Sequence, residues 1–119
     1  MKYDLSQLKQ IIITAAGEEL LPRFADVQRS IKLDGSFLTE ADMATQARIS
    51  RALKELYPDT AFLGEEMTAD EQTELLNNSD SLWCLDPLDG TSNFAVGTPY
   101  YAISLALIEQ GIPTLGIVY

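Results

Sequence analysis

The chain has 119 residues, of which 46% are apolar and 22% charged, a balance that suits one soluble globular domain with a real core. Its formal net charge of −10 is unevenly placed: residues 1–54 hold seven acids and all eight bases, and residues 55–119 hold eleven acids and no Lys or Arg. Such a half repels nucleic acid and anionic membranes, and it repels an anionic substrate unless cations come with the site.

Histidine is absent. No Ser-His-Asp or Cys-His arrangement and no His-ligated zinc or iron site can therefore be built, and any metal must be hard and oxygen-liganded: Mg²⁺, Mn²⁺ or Ca²⁺. The single cysteine, Cys84, has no internal disulfide partner and reads as a small core residue in a buried strand. No apolar run approaches the roughly 20 residues of a membrane span, and Met1-Lys2-Tyr3-Asp4 lacks the apolar region of a signal peptide. A cytoplasmic chain with neither membrane nor nucleic acid as partner is expected.

In chain order, Leu5, Leu8, Ile12, Ala15, Leu20 and Phe24 recur near helical spacing and predict a core-covering helix from about Asp4 to Val27. Gly17 and Pro22 mark a kink or break in it. Ile31 to Leu38 holds an Asp34-Gly35 pair between alternating segments, the signal of a two-residue hairpin. Thr39 then stands as the N-cap of a helix, with Asp42 three residues on. Ala41, Ala44, Ile49, Ala52, Leu53 and Leu56 form its apolar face, and Tyr57-Pro58 ends it.

Ala61 to Gly64 reads as a short strand leading into Glu65-Glu66. Thr68-Ala69-Asp70-Glu71 is a capping box that opens a helix to about Leu76, and Asn77 to Asp80 is a loop. Ser81 to Leu85 is a strand. Tyr101 to Ile108 and Thr114 to Tyr119, joined at Gln110-Gly111, form an antiparallel hairpin. The chain stops on the apolar run Gly116 to Tyr119, so a fragment, or an edge covered by another chain, is expected.

Three acids, Glu65, Asp86 and Asp89, sit where short strands end. Asp86 and Asp89 converge on one point if the turn between them exposes a backbone carbonyl, and Leu88 offers that third oxygen, a set suited to Mg²⁺. Acids shared between two cations would hold them about 3.5–4 Å apart, as in two-metal phosphoryl sites. Gly90 and Thr91 would then lie at a helix N-terminus, where free N–H groups attract phosphate. A plainer account stands beside this one. Asp86 to Gly90 has the composition of a β-turn, Thr91 suits a helix N-cap, Asp42 an N3 cap, and Lys32 a solvated hairpin charge.

The string Asp86-Pro87-Leu88-Asp89-Gly90-Thr91-Ser92-Asn93-Phe94, preceded by Gly64-Glu65-Glu66 and Thr39-Glu40-Ala41-Asp42, closely resembles the inositol monophosphatase family, part of the Mg²⁺-dependent, lithium-sensitive sugar-phosphatase superfamily. The resemblance covers essentially the whole chain, residues 1–119, as the N-terminal portion of such a domain. The fold it implies is α+β, the first half of a layered sandwich with two main helices packed on a largely antiparallel sheet.

For the site, the resemblance implies that Glu65 is a metal ligand that helps activate the attacking water. Asp86 would bridge two Mg²⁺ ions, Leu88 would lend its carbonyl, and Asp89 would hold the second ion. Leu88, Asp89, Gly90 and Thr91 would border the substrate phosphate, with the Thr91 hydroxyl, oriented by Asp42, positioning the water. Lys32 would lie on a mobile hairpin near the phosphate and a third ion. Ser36 departs from the acidic residue often found in that hairpin. A further aspartate ligand and the groups that read substrate hydroxyls belong to the family's second half, which these residues do not include.

The implied function is a phosphomonoesterase acting on a small polyol phosphate, above all myo-inositol 1-phosphate, with a homodimer as the implied assembly. Within the class the alternatives are 3′-phosphoadenosine 5′-phosphate, histidinol phosphate and fructose 1,6-bisphosphate. From another class, the alternative is a non-catalytic regulatory or protein-binding relative.

Overall fold

The computed structural model describes residues 2–29, 35–64 and 67–119. Lys32, the first arm of the expected hairpin at 31–34, and Glu65-Glu66 lie outside the described residues.

The first helix, α1, spans Leu5–Ala15 and is opened by Asp4, whose carboxylate accepts from the N–H groups of Ser6 and Gln7. Leu8, Ile12 and Ala15, one or two turns apart, point into the core. The expected interruption takes the form of a π-helical turn at Ala16–Leu20, after which α2 runs from Leu21 to Arg29. Pro22 explains it. Its ring crowds the carbonyl four residues back and it brings no N–H, so one wider turn, closed by Leu21 N–H on Ala16 C=O, lets the helix continue without breaking. Leu20 and Phe24 stay buried across the join, whereas Leu5 ends up exposed.

The second helix differs from expectation at its start. It runs from Gly35 to Leu56 as α3, so the predicted second hairpin arm at Ser36–Leu38 is helical and Thr39 lies inside the helix rather than at its cap. Between Ser36 and Leu56 there is no Gly or Pro to stop propagation, and extending an existing helix costs less than starting one. Asp42 is consequently an interior residue, and its reading as an N3 cap falls. Ala41, Thr45, Ile49 and Leu53, four apart, form the buried stripe. The buried Thr45 hydroxyl is satisfied by the Ala41 carbonyl at 2.8 Å. Leu56, placed on the apolar face by its spacing, is exposed.

Four strands follow in the order β1 (Ala61–Leu63), β2 (Ser81–Asp89), β3 (Ala102–Glu109) and β4 (Ile112–Val118), each beside the next. β1 and β2 are parallel and need a crossover, supplied by α4 (Ala69–Asn78). The Thr68 hydroxyl caps α4 through Glu71 N–H and pairs with the Glu71 carboxylate, so the predicted capping box forms. The remaining pairs are antiparallel. Gln110 and Gly111 both take positive φ, 50° and 78°, the conformation a two-residue hairpin demands.

One face of the sheet meets α1, α2 and α3 through Trp83, Leu85, Leu88, Ile103, Leu105 and Leu107. Trp83 is wedged edge-on against Tyr3, whose hydroxyl bonds Thr60 Oγ1 at 2.8 Å. The opposite face carries Leu82, Cys84 and Asp86 opposite Ile108, Ala106 and Ser104. Cys84 is half-buried there, and burial pushes its thiol pKa up, which keeps it protonated and unreactive. No helix among the described residues is long and apolar enough to cross a membrane.

A charged clamp joins the π-helical turn and α2 to α3. Glu19 lies between Arg23 and Arg48, 2.9 Å from each, while Arg23 also reaches Glu40 and Arg48 reaches Glu18. Burial pushes the Glu19 pKa up, but hydrogen bonds and charge from Arg48 and Arg23 outweigh it and hold it below the ordinary carboxylate value. A carboxyl whose pKa is lower in the fold than in the unfolded chain stabilises the fold fully above the unfolded value, and this stabilisation is lost as pH falls through the folded one. Denaturant unfolding across an acid pH series is expected to show that loss, and Glu19→Gln is expected to remove it from the curve.

Candidate active site

β2 does not stop at Leu85 to enter a tight turn. It continues to Asp89 with a bulge: Asp86 pairs with Ser104 and Asp89 pairs with Ala102, so three steps on β2 match two on β3. In a regular strand, residues three apart face opposite ways. The extra residue restores the phase. Leu85 and Leu88 both enter the core, and Asp86 and Asp89, aligned with Ser104 and Ala102, both face the other side.

The bulge is tied by side chains rather than by the ladder. Leu88 N–H donates to Asp86 Oδ1 at 3.2 Å, and Leu88 C=O accepts from the Thr91 hydroxyl at 3.0 Å. Pro87, which has no N–H to offer, fits a position where no ladder bond is required. Gly90 then turns the chain with φ +87° and stands as the N-cap of α5 (Thr91–Ala95). Thr91 is thus the first residue of the helix, not its cap, and its hydroxyl points back to Leu88. A Cβ at Gly90 would lie 2.7 Å from the Tyr100 carbonyl, so both the conformation and the space require glycine.

The last residues of the motif anchor it. Asn93 Nδ2 donates to Tyr100 C=O at 2.9 Å, and Phe94 is fully buried against Phe24 and Tyr101 at ring separations of 5.5 and 5.0 Å. Burial raises the Tyr101 phenol pKa, which keeps the ring uncharged where it packs on Phe24 and Phe94. Asp89 is exposed and Asp86 half-buried. Both acids therefore open onto solvent from a backbone held on its far side by aromatic packing.

Asp86, Leu88, Asp89, Gly90 and Thr91 are brought together by this one bulge and turn. Asp42 is half-buried on α3, and no group of three or more His, Cys, Asp or Glu side chains placed to hold a cation is found among the described residues. Lys32 and Glu65 fall outside them. The donors present, two carboxylates on one face with a backbone carbonyl between them, are hard oxygens and fit Mg²⁺ as part of its ligand set. Sequence reasoning passed over Gln46, which lies against Gly64; its only signal is its place four residues after Asp42.

The model of the family described as the inositol monophosphatase family matches residues 4–119. An inositol-1-monophosphatase from Synechocystis is 38% identical over 109 residues, covering 90% of this chain and 37% of the relative. A Nus factor SuhB from Pasteurella multocida is 35% identical over 94 residues, covering 79% of this chain and 34% of the relative. Among solved structures, CysQ from Bacteroides thetaiotaomicron superposes with a TM-score of 0.76 at 30% identity, covering 98% of this chain and 43% of that one. The chain thus spans less than half the length of these relatives.

Proposed function

Because the chain belongs to the inositol monophosphatase family, we propose that it is the N-terminal portion of a Mg²⁺-dependent phosphomonoesterase whose preferred substrate is myo-inositol 1-phosphate. The observation that carries this reading is the bulge, which turns Asp86 and Asp89 to one side around the Leu88 carbonyl, directly before the start of α5. Assembly as a homodimer belongs to the same proposal.

In this reading Asp86, Asp89, the Leu88 carbonyl and Glu65 hold the cations. Mg²⁺ bound there supplies acidity to water and positive charge to the departing alkoxide. The backbone N–H groups of Gly90 and Thr91, unpaired within the helix because they begin it, bind phosphate oxygens. Thr91 Oγ1 and Asp42 orient the attacking water, and Glu65 takes its proton as the new P–O bond forms. The ester P–O bond breaks on the opposite side, and the sugar alkoxide leaves and is protonated by solvent. No covalent enzyme intermediate is required.

The test is phosphate release by the protein at its full natural length, from inositol 1-phosphate, 3′-phosphoadenosine 5′-phosphate, fructose 1,6-bisphosphate and histidinol phosphate. Release from inositol 1-phosphate is expected to exceed that from the other three and to vanish in EDTA. Undiminished turnover in EDTA would sink the metal reading. Preference for another member of the panel would sink the substrate assignment alone.

A further inference from the structure

The chain leaves the bulge into α5, whose five residues, Thr91–Ala95, are too few for a helix to hold itself by backbone bonds alone. Its seat is therefore set by what its side chains grip. Phe94 is one anchor, fully buried against Phe24 and Tyr101. Asn93, half-buried, is the second. Its Nδ2 donates to the Tyr100 carbonyl at 2.9 Å, and its own carbonyl accepts from Thr98 N–H at 2.8 Å. A carbonyl only accepts, so the side-chain atom that faces Tyr100 has to be the nitrogen. Adjacent residues leave a helix about 100° apart. One anchor alone would let α5 roll about its axis, and two in different directions do not.

The Tyr100 carbonyl also meets the start of α5. Gly90, the N-cap, packs so close to it that a Cβ there would lie 2.7 Å from the oxygen and 3.2 Å from Tyr101 Cα. Both are main-chain atoms, and they lie just before β3 begins at Ala102, the residue paired with Asp89. The oxygen that receives the Asn93 amide is thus the one against which the turn out of β2 is packed.

We propose that Asn93 is a positioning residue of the phosphatase site: by holding the Tyr100 carbonyl against Gly90, it fixes the roll of α5 and with it the Thr91 hydroxyl, which donates to Leu88 C=O at 3.0 Å. This rests on the phosphatase reading above, in which that hydroxyl orients the attacking water. Asn93 touches neither substrate nor cation in this role. Asp86 and Asp89 are set within β2 by pairing with Ser104 and Ala102, so Asn93 acts on the water and not on the cations. A misplacement of about 1 Å at a reacting group can cost on the order of a hundredfold in rate.

The test uses the full-length protein, with steady-state kinetics on whichever of the four phosphate esters above it hydrolyses fastest. Mn²⁺ calorimetry probes the cation site, and thermal unfolding probes the fold. Asn93→Ala and Asn93→Asp both remove the donor, the second while keeping the shape of the side chain. Well below the unfolding midpoint, both are expected to lower kcat by about tenfold to a hundredfold, with KM and Mn²⁺ affinity nearly unchanged. Gly90→Ala is expected to shift the midpoint less in an Asn93→Ala background than in the unaltered protein, since the freed carbonyl then yields to the new methyl group. Wild-type kcat in either Asn93 variant overturns the assignment. A parallel loss of Mn²⁺ affinity moves the effect to the cation ligands and overturns it too, as do midpoint shifts that simply add. If the unaltered protein releases phosphate from none of the four esters, the phosphatase reading itself falls and takes this role with it.

Discussion

Exchanging Asp89 for asparagine is expected to lower phosphate release by on the order of a thousandfold, comparable to removing one strong electrostatic contact from a reacting centre, while the fold is kept. Asp89 is exposed at the end of β2, and its backbone, not its side chain, aligns it with Ala102. Asparagine has the same shape, so a surface change of this kind should move stability by less than about 0.5 kcal/mol. What it removes is one formal negative charge and a hard anionic oxygen from the face that Asp86 shares. Asp80→Asn is the matched control, an exposed acid at the other end of the same strand's approach. If the eleven acids of residues 55–119 formed only a solvated surface, both substitutions would leave turnover alike. Equal turnover of the two variants, measured with saturating Mg²⁺, would refute the role given to Asp89.

Gly90→Ala should lose clearly more stability than the same exchange at Gly111. Two costs combine. A residue with a Cβ at φ +87° is in the left-handed region, at a cost of about 1–2 kcal/mol. The added methyl would also stand 2.7 Å from the Tyr100 carbonyl oxygen, a backbone atom that cannot swing aside as a long side chain does. Gly111 separates the two effects, since it has φ +78° with nothing within 4 Å of its would-be Cβ. Gly111→Ala should therefore lose only about 1–2 kcal/mol, and Gly90→Ala about 3 kcal/mol or more once backbone strain is added. Chemical denaturation of both variants checks this. Equal losses would show that the close approach at Tyr100 relaxes freely.

Much of this was legible in the residues themselves. The four-apart stripe Ala41, Ile49 and Leu53, the alternation of Ile103, Leu105 and Leu107, and the Thr68–Glu71 capping box each express one local rule that no tertiary contact opposed. The misreadings arose where two local signals competed. Asp34-Gly35 signals a hairpin, yet the unbroken helix-forming run after it carries α3 back to Gly35. Asp, Pro and Gly at 86–90 all favour a turn, yet pairing with β3 holds the strand extended to Asp89. A bulge leaves no composition signature of its own, because it is defined by the register of the partner strand. The Glu19–Arg48 arm of the clamp joins residues 29 apart in sequence, and the Gln46–Gly64 contact joins α3 to the end of β1. Neither follows any periodicity.

The bulge has a further consequence for how this chain can vary. Removing Pro87 would leave Asp86 and Asp89 two apart in a regular strand, still on one side, with Leu88 still directed inward. What would change is the backbone between them: a bulge bends its strand and sharpens the local twist, and it is in this bent segment that Leu88 N–H and C=O are held by Asp86 and Thr91. The extra residue thus bends the segment that carries the Leu88 carbonyl while both acids keep their register with β3. Such a group is invisible to side-chain scanning, for no substitution at position 88 deletes a backbone oxygen. A change in the number of residues between the two aspartates does alter that bend, so the proposed site would constrain the length of this segment as well as the acids at its ends.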